Sequence, residues 1–555
     1  MNSGILILIQ GIKPVAIFLN RNLLRLAVIK LLLFFASGAI AQTNYLIYLT
    51  DKNDSPYSAE HPEAYLSGKA LLRRSKQKIP VTRQDFPVNP QYLKAIKDNG
   101  AICRYASRWL NALLVTGTEE QMVNIRNLGF VKSVLNLDKD IATGTEYVNI
   151  QGFQAVTAPE ISYGNSFTHL SMLGIDIMHS QGLNGKGITI AVLDDGFRGV
   201  TTHYGFDSLR SNNRIKATFD FHGGTTNVYE GHDHGTAVLS LMGAYKEGEL
   251  IGGAWNADFM LLKTEVIEFE KQLEEVYWLL GAEFADSAGA DIIQSSLGYN
   301  VLDDDGTTHT YQDLDGKRSI VTTAAEFAFS KGMLVVNSAG NEGSSSWRYL
   351  NVPADGKNVL TVGAVKADRS YYPISSVGPT SDMRIKPDVA AMGNNVPLYT
   401  ASGLTPGNGT SFAAPLISAF AANLWQKLPD LTNRQLFELI RNSGSQASSP
   451  DNYLGSGIPD YMKARNILGT ENGTESKDLK IFPNPAENII TIESGSSKIE
   501  SMKILSVSGK EVLKMDFSAP VSSADADISD LPAGFYYSVF ITDQGNKTLS
   551  FIIVR

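Results

Sequence analysis

Four short apolar runs rich in β-branched residues constrain this chain most: GITIAVLDD (187–195), ADIIQSSLG (290–298), GMLVVNSAGN (332–341) and NVLTVGAV (358–365). Each is too short for a helix, and most of them close on Gly, Asn or Asp. Helical patterns such as EKQLEEVYWLLGAEFADSAG (270–289) lie between them. Continuous rather than alternating apolar runs, separated by helices, predict a parallel sheet covered on both faces. Chemistry is then to be sought beyond the carboxyl ends of the strands, where such sheets bind their ligands.

The expected organisation follows from changes along the chain. Residues 1–41 carry Arg21, Arg25 and Lys30, a short apolar run from Leu31 to Phe35, and small residues ending at Ala39-Ile40-Ala41. This is the layout of a secretory signal peptide. The apolar run is about half of the ~20 residues a membrane span needs, so no transmembrane span is expected in the mature form. Residues 42–150 mix strand-like YLIYLT, ALLVTGT and FVKSVLNL with a basic helical patch around Arg73-Arg74, as a small α/β module would. A polar linker occupies 151–165, and the sheet-forming domain spans 166–470. Residues 476–555 alternate apolar and polar with Gly-containing turns, the pattern of a small all-β sandwich.

Composition removes some function classes. A net charge of −9 weighs against a nucleic-acid binder, which is expected to carry a basic surface, and a single cysteine, Cys103, rules out a disulfide framework and a four-cysteine zinc site.

The strand ends carry the residue types that acyl transfer needs. Asp194 closes AVLDDG, His234 opens an apolar helix in GHDHGTAVLSL, Asn341 follows a buried strand in SAGNEG, and Ser411 precedes an apolar run in NGTSFAAPLISA. A serine hydroxyl becomes nucleophilic only when an imidazole takes its proton, and the imidazole needs a carboxylate to fix its tautomer. The developing oxyanion needs donors, which the Ser411 N–H and the Asn341 amide could supply. The competing expectation for Ser411 is a plain helix cap. His232, Asp233 and His234 lack the spacing of a helical zinc site, so no catalytic metal is expected.

These four blocks, in this order, resemble the subtilisin-like serine protease (subtilase) family. The resemblance implies that Asp194 orients, His234 acts as general base and then acid, Ser411 is the nucleophile and Asn341 stabilises the oxyanion. Ser296, Leu297 and Gly298 in SSLG would form one wall of the substrate pocket. Two residues depart from the family pattern: Asp195 adds a second carboxylate, and Ala237 replaces a frequent histidine. Alternation along a strand would direct the Asp195 side chain away from that of Asp194. Pro415 is expected in a first helical turn, where it sacrifices few bonds.

The flanks carry resemblances of their own. Residues 42–150 resemble a subtilase propeptide, with self-cleavage expected within 138–165. IFPNPAENIITI, SVSGKEVLK and DISDLPAGFYYSVF resemble the A-class sorting domain of type IX secretion, which implies that machinery as a partner and a secreted or surface-attached product. Protein or peptide substrates are implied, and no cofactor is required. Asp303, Asp304, Asp305, Asp313 and Asp315 form an acidic stretch compatible with structural calcium or with a solvated loop. The reading from another class is an inactive subtilase scaffold acting as a surface binding protein.

Overall fold

The computed structural model describes residues 42–138, 161–266, 271–300, 309–472, 479–483, 486–506, 511–532, 534–543 and 545–553. The expected leader, most of the expected cleavage region, and Asp303 to Asp305 lie outside the described residues. The chain divides into two compact units, Met1–Tyr461 and Met462–Arg555.

The larger unit begins with a four-stranded antiparallel sheet of β1 (Thr43–Leu49), β2 (Ile102–Ser107), β3 (Ala112–Gly117) and β4 (Val131–Asn136), in the order β2-β3-β1-β4. Tyr45, Ile47, Leu113 and Val115 from this sheet share a core with Ile96 of α2 (Pro90–Asp98) and with Met122 and Ile125 of α3 (Glu119–Arg126). A third helix, α1 (Gly68–Lys76), lies in the segment after β1, and Ser67 caps it by accepting from Ala70 N. The basic patch is not a solvated face. Arg73 and Arg74 are buried against the second half of the unit, both within reach of the Asp286 carboxylate.

That second half is built on seven parallel strands: β5 (Thr189–Asp194), β6 (Ile215–Asp220), β7 (Asp258–Lys263), β8 (Ile292–Ser295), β9 (Leu334–Ser338), β10 (Val359–Val365) and β11 (Val389–Met392). Their order is β11-β10-β9-β8-β5-β7-β6, with Ser295 opposite both Leu193 and Asn337. All residues of β5, β9 and β10 are buried, which accounts for their unbroken apolar runs. Successive residues of β8 show how both faces are covered. Gln294 meets Ser418 of α7 (Thr410–Lys427), whereas Ser295 meets Trp278 of α5 (Gln272–Ala288). Neighbouring side chains on a strand point to opposite faces, so α5 and α7 sandwich the sheet. Helix α4 (His234–Gly243) packs with α7, and α6 (Ile320–Ser330) packs with α5. The three-layer α/β arrangement expected from the apolar runs is therefore present.

In the smaller unit, strands Leu479–Phe482, Ile489–Ser494 and Ser523–Asp527 form one sheet, and a second sheet has four strands. Ile490, Ile492, Met502, Ile504, Phe540 and Phe551 share one buried core, as the alternating pattern requires. Among the described residues, no helix is long and apolar enough to cross a membrane.

Candidate active site

Asp194 is the last residue of β5 and is fully buried. Its Oδ1 accepts from the backbone N–H of Asp195 at 3.0 Å and lies 2.7 Å from His234 Nδ1. His234 is the first residue of α4, so a strand end and a helix start, forty residues apart in sequence, meet through one short charge-assisted bond. The bond occupies Nδ1 and leaves Nε2 as the nitrogen available for proton transfer. Burial disfavours the imidazolium, but the Asp194, Asp195 and Asp233 carboxylates outweigh it and raise the His234 pKa to about 9.

Asp195 lies just past the end of β5, so strand alternation does not turn it away from this site. Its Oδ1 accepts from Gly235 N at 3.4 Å, and its Oδ2 is 3.8 Å from His232 Nδ1. Burial, then the adjacent Asp194 carboxylate, push the Asp195 pKa upward. Asp233 has a different task. Its Oδ2 accepts from Ala401 N at 3.0 Å and pairs with Arg198 at 3.4 Å, tying the turn before α4 to a distant loop.

Ser411 is the second residue of α7 and caps nothing, because the N-cap position belongs to Gly409. Gly409 has φ = +139°, and a Cβ there would lie 3.3 Å from both polar atoms of the Asn341 amide. Only glycine combines that backbone with that approach. Ser411 N–H lies in the first turn, where a helix provides it with no acceptor. The Ser411 hydroxyl donates to the Ser296 carbonyl at 3.4 Å, and the neighbouring Phe412 ring lies 5.7 Å from the His234 ring.

Pro415 is the sixth residue of α7, beyond the first turn where it was expected. A proline there has no N–H for the carbonyl four residues earlier, which is that of Ser411. Ser296 Oγ donates to this carbonyl at 2.8 Å. Helix α7 therefore continues through the proline without a buried orphan acceptor. Both residues were visible in the sequence, but no local pattern joins positions 296 and 411.

Asn341 follows β9 and is exposed, yet its Oδ1 is held by Thr410 N at 2.9 Å and Thr410 Oγ1 at 3.0 Å. With the oxygen engaged inward, the amide Nδ2 is the group available as a donor. Leu297 and Gly298 continue past β8 beside Ser296. Asn337 Nδ2 donates to the Leu297 carbonyl at 3.0 Å, and a Cβ on Gly298 would lie 2.8 Å from Asn351 Cβ. Asn337, Asn351 and Thr410 are thus site-building residues that the sequence motifs did not single out. Thr410 alone had a visible signal, being adjacent to the serine.

Asp194, Asp195 and His234 offer atoms within 4.8 Å of one another, close enough to be weighed as metal ligands. The short Nδ1–Oδ1 contact uses the two atoms a metal would need, so the donor set fits a hydrogen-bonded pair better. In the acidic insertion, Asp313 accepts from Thr310 and pairs with Arg318 at 3.1 Å, and Asp315 pairs with Arg318 at 3.3 Å. These two carboxylates share the one Arg318 guanidinium.

A buried carboxylate–imidazole pair, a serine in the first turn of a helix and an anchored amide, all at the carboxyl ends of a parallel sheet, are the groups that a serine hydrolase of α/β class requires. The chain belongs to the subtilase family, and so is a serine-type endopeptidase. Residues 185–457 match the Subtilase family (peptidase S8), residues 44–150 the peptidase S8 propeptide domain of Bacteroidota, and residues 480–555 the secretion system C-terminal sorting domain. Subtilisin NAT of Bacillus subtilis subsp. natto is 28% identical over 338 residues, which are 60% of this chain and 78% of the relative. Subtilisin of Bacillus pumilus is 28% identical over 311 residues, 55% of this chain and 99% of the relative. Among solved structures, MycP1 from the ESX-1 type VII secretion system matches with a TM-score of 0.44 and 22% identity, covering 56% of this chain and 88% of that one. The sorting domain implies export, to the surface or the medium.

Proposed function

We propose that this protein is an exported endopeptidase that hydrolyses peptide bonds through an acyl-enzyme formed on Ser411. The observation that carries the proposal is the buried Asp194–His234 pair at 2.7 Å, beside the helix start that presents Ser411. In this reaction the Ser411 hydroxyl leaves its long 3.4 Å contact with the Ser296 carbonyl and turns to His234 Nε2 when substrate arrives. His234 takes the hydroxyl proton as Oγ attacks the scissile carbonyl, and Asp194 stabilises the imidazolium. The oxyanion is received by Ser411 N–H and Asn341 Nδ2. His234 then returns the proton to the leaving amine, and water repeats the sequence to free the acid. The backbone of Ser296, Leu297 and Gly298 forms one wall for an extended peptide, which favours polypeptides over small esters.

By the same reading, residues 42–150 are removed from the catalytic domain by a cut within 138–165. Residues 1–41 would direct passage across the inner membrane and 476–555 passage across the outer one through type IX machinery. No cofactor is required for the chemistry.

The test is labelling by a fluorophosphonate together with casein hydrolysis. Stoichiometric labelling that is lost in Ser411→Ala, with loss of casein turnover, is the expected result. Matured protein that neither labels nor cleaves would instead favour the inactive binding scaffold.

A further inference from the structure

The interface between the N-terminal module and the catalytic domain extends well away from the substrate groove. The segment between β1 and the next strand of its sheet carries α1 to the amino ends of the parallel strands. There Ser67 N donates to Ser287 O at 2.9 Å, Arg73 Nε to Lys331 O at 3.1 Å, and Gln77 Nε2 to Gly332 O at 2.8 Å, while Gln77 Oε1 accepts from Asn433 N at 2.9 Å. Lys69 pairs with Asp291 at 3.4 Å. These acceptors precede β8 and β9, whereas Asp194 is the carboxyl end of β5, and Ser296 and Asn341 follow those of β8 and β9. At about 3.3 Å per residue the length of β5 separates the two regions by roughly 16 Å.

The centre of this contact is a single carboxylate. Asp286, fully buried near the end of α5, pairs with Arg73, Arg74 and Arg108, all three from the module. Beside it Glu283 accepts from Ser107 Oγ at 2.6 Å, from Arg108 N at 2.9 Å and from Trp109 N at 3.2 Å. Lys331 of the catalytic domain reciprocates by pairing with the module's Asp85 at 3.1 Å. Asp85 of the module offsets Arg74 at 3.1 Å, but Arg73 and Arg108 find their carboxylates only in the catalytic domain and would be left buried and unpaired without them. The arrangement fixes register and makes a partial departure costly.

We propose that Ser67–Gln77 is a clasp, and Asp286 its receptor, forming a docking site separate from the groove that sets how long the cut module stays bound as a separate chain. The partner this surface fits is a helix presenting two adjacent arginines, with a third from a neighbouring strand end. Cutting the chain between the domains and losing the module are then distinct events. The proposal rests on the module being severed, as set out above.

The experiment uses the full chain carrying Ser411→Ala and a recognition sequence for a site-specific endopeptidase placed within 139–160, so that cutting does not depend on the chain's own activity. The cut protein is held by a tag on its carboxyl end, and departure of the module fragment is followed over time. The expected result is retention of the fragment by the parent. Arg73→Ala should accelerate departure at least tenfold, as should the milder pair Lys69→Ala with Gln77→Ala, which lies at the clasp rim and perturbs folding less. Equal elution volume before cutting identifies folded variants. Immediate loss of the fragment from the parent, or an unchanged departure rate in the rim variant, would overturn the proposal. Failure of the wild type to cleave casein bears only on the proposed function, since this measurement contains no step catalysed by Ser411.

Discussion

Ser296 Oγ donates to the carbonyl oxygen of Ser411, the acceptor that Pro415 leaves without its helical partner. The bond belongs to a buried chain: Ser418 Oγ donates to Gln294 Oε1 at 2.5 Å, and Gln294 Nε2 donates to Ser296 Oγ at 2.9 Å. The proposed nucleophile is therefore positioned by a polar line that runs between β8 and the sheet-facing side of α7, from Ser418 back to Ser411. Such lines stabilise only when every member is satisfied.

Breaking that line is the first prediction. Ser296→Ala leaves the Ser411 carbonyl and the Gln294 amide each short of a partner, and an unsatisfied buried group costs about 1–3 kcal/mol. Pro415→Ala restores an N–H at the position from which a helix serves that carbonyl. Ser296→Ala should therefore cost less in the Pro415→Ala background than in the wild type. A double-mutant cycle by denaturant unfolding of the Ser411→Ala chain, which avoids self-digestion, measures the coupling. Additive costs would show that the two groups do not share the acceptor.

The second prediction concerns pH. Neutral His234 is the working base, and its pKa is raised to about 9, so the active fraction grows as pH rises from 7 toward 9. Activity should climb across that range, with only roughly a hundredth of the base form present at pH 7. The same coupling contributes stability that is present in full below 6.5, the ordinary imidazole value, and is lost as pH passes through about 9. Asp195→Asn removes one of the carboxylates that raise the pKa. The ascending limb of kcat/KM should move toward lower pH by about one unit, the lower end of what a neighbouring charge produces. A limb that stays in place would mean that Asp195 does not act on the imidazole.

Much of this was legible in the chain because local physics and fold agree there. The runs at 187–195 and 332–341 are buried on both faces, so their composition is set by the sheet and their polar ends mark the site. Burial of Arg73 and Arg74 was not legible, because their shared partner Asp286 lies more than 200 residues away. Basic residues on a short helix ordinarily face solvent, and only the neighbouring domain reverses that. Asp195 was misjudged for a simpler reason: alternation holds only inside a strand, and the strand ends one residue earlier. Pro415 was misplaced because the helix begins at Thr410, a boundary fixed by the special backbone of Gly409.

The third prediction is that Asn341→Ala lowers kcat by about 10²–10³-fold with little change in KM, the effect of deleting one oxyanion donor. The substitution also takes the acceptor from the buried Thr410 N–H, a cost of about 1–3 kcal/mol that unfolding of the same variant measures separately from the rate. Stopped assays on a chromogenic peptide separate the two parameters. A loss carried by KM would place Asn341 in ground-state binding instead.

The last prediction concerns how that donor is aimed. Thr410 is fully buried, and its hydroxyl touches Gly340 N at 3.2 Å, Gly340 O at 3.1 Å and Asn341 Oδ1 at 3.0 Å. Its backbone N–H also holds Asn341 Oδ1, at 2.9 Å, so the residue beside the nucleophile fixes which way the amide faces. Thr410 acts through Asn341 and is a positioning residue. Thr410→Val keeps the shape but deletes the hydroxyl, leaving the amide on one bond in place of two. The expected result is a fall in kcat of about tenfold at constant KM, smaller than for Asn341→Ala because the backbone bond survives. Thr410→Ser should recover most of the rate, since it restores the hydroxyl at the price of a methyl group. In the Asn341→Ala background Thr410→Val should add little further loss, because the group it aims has gone. Equal losses in both backgrounds would place the threonine's effect in helix packing and not in orientation of the amide.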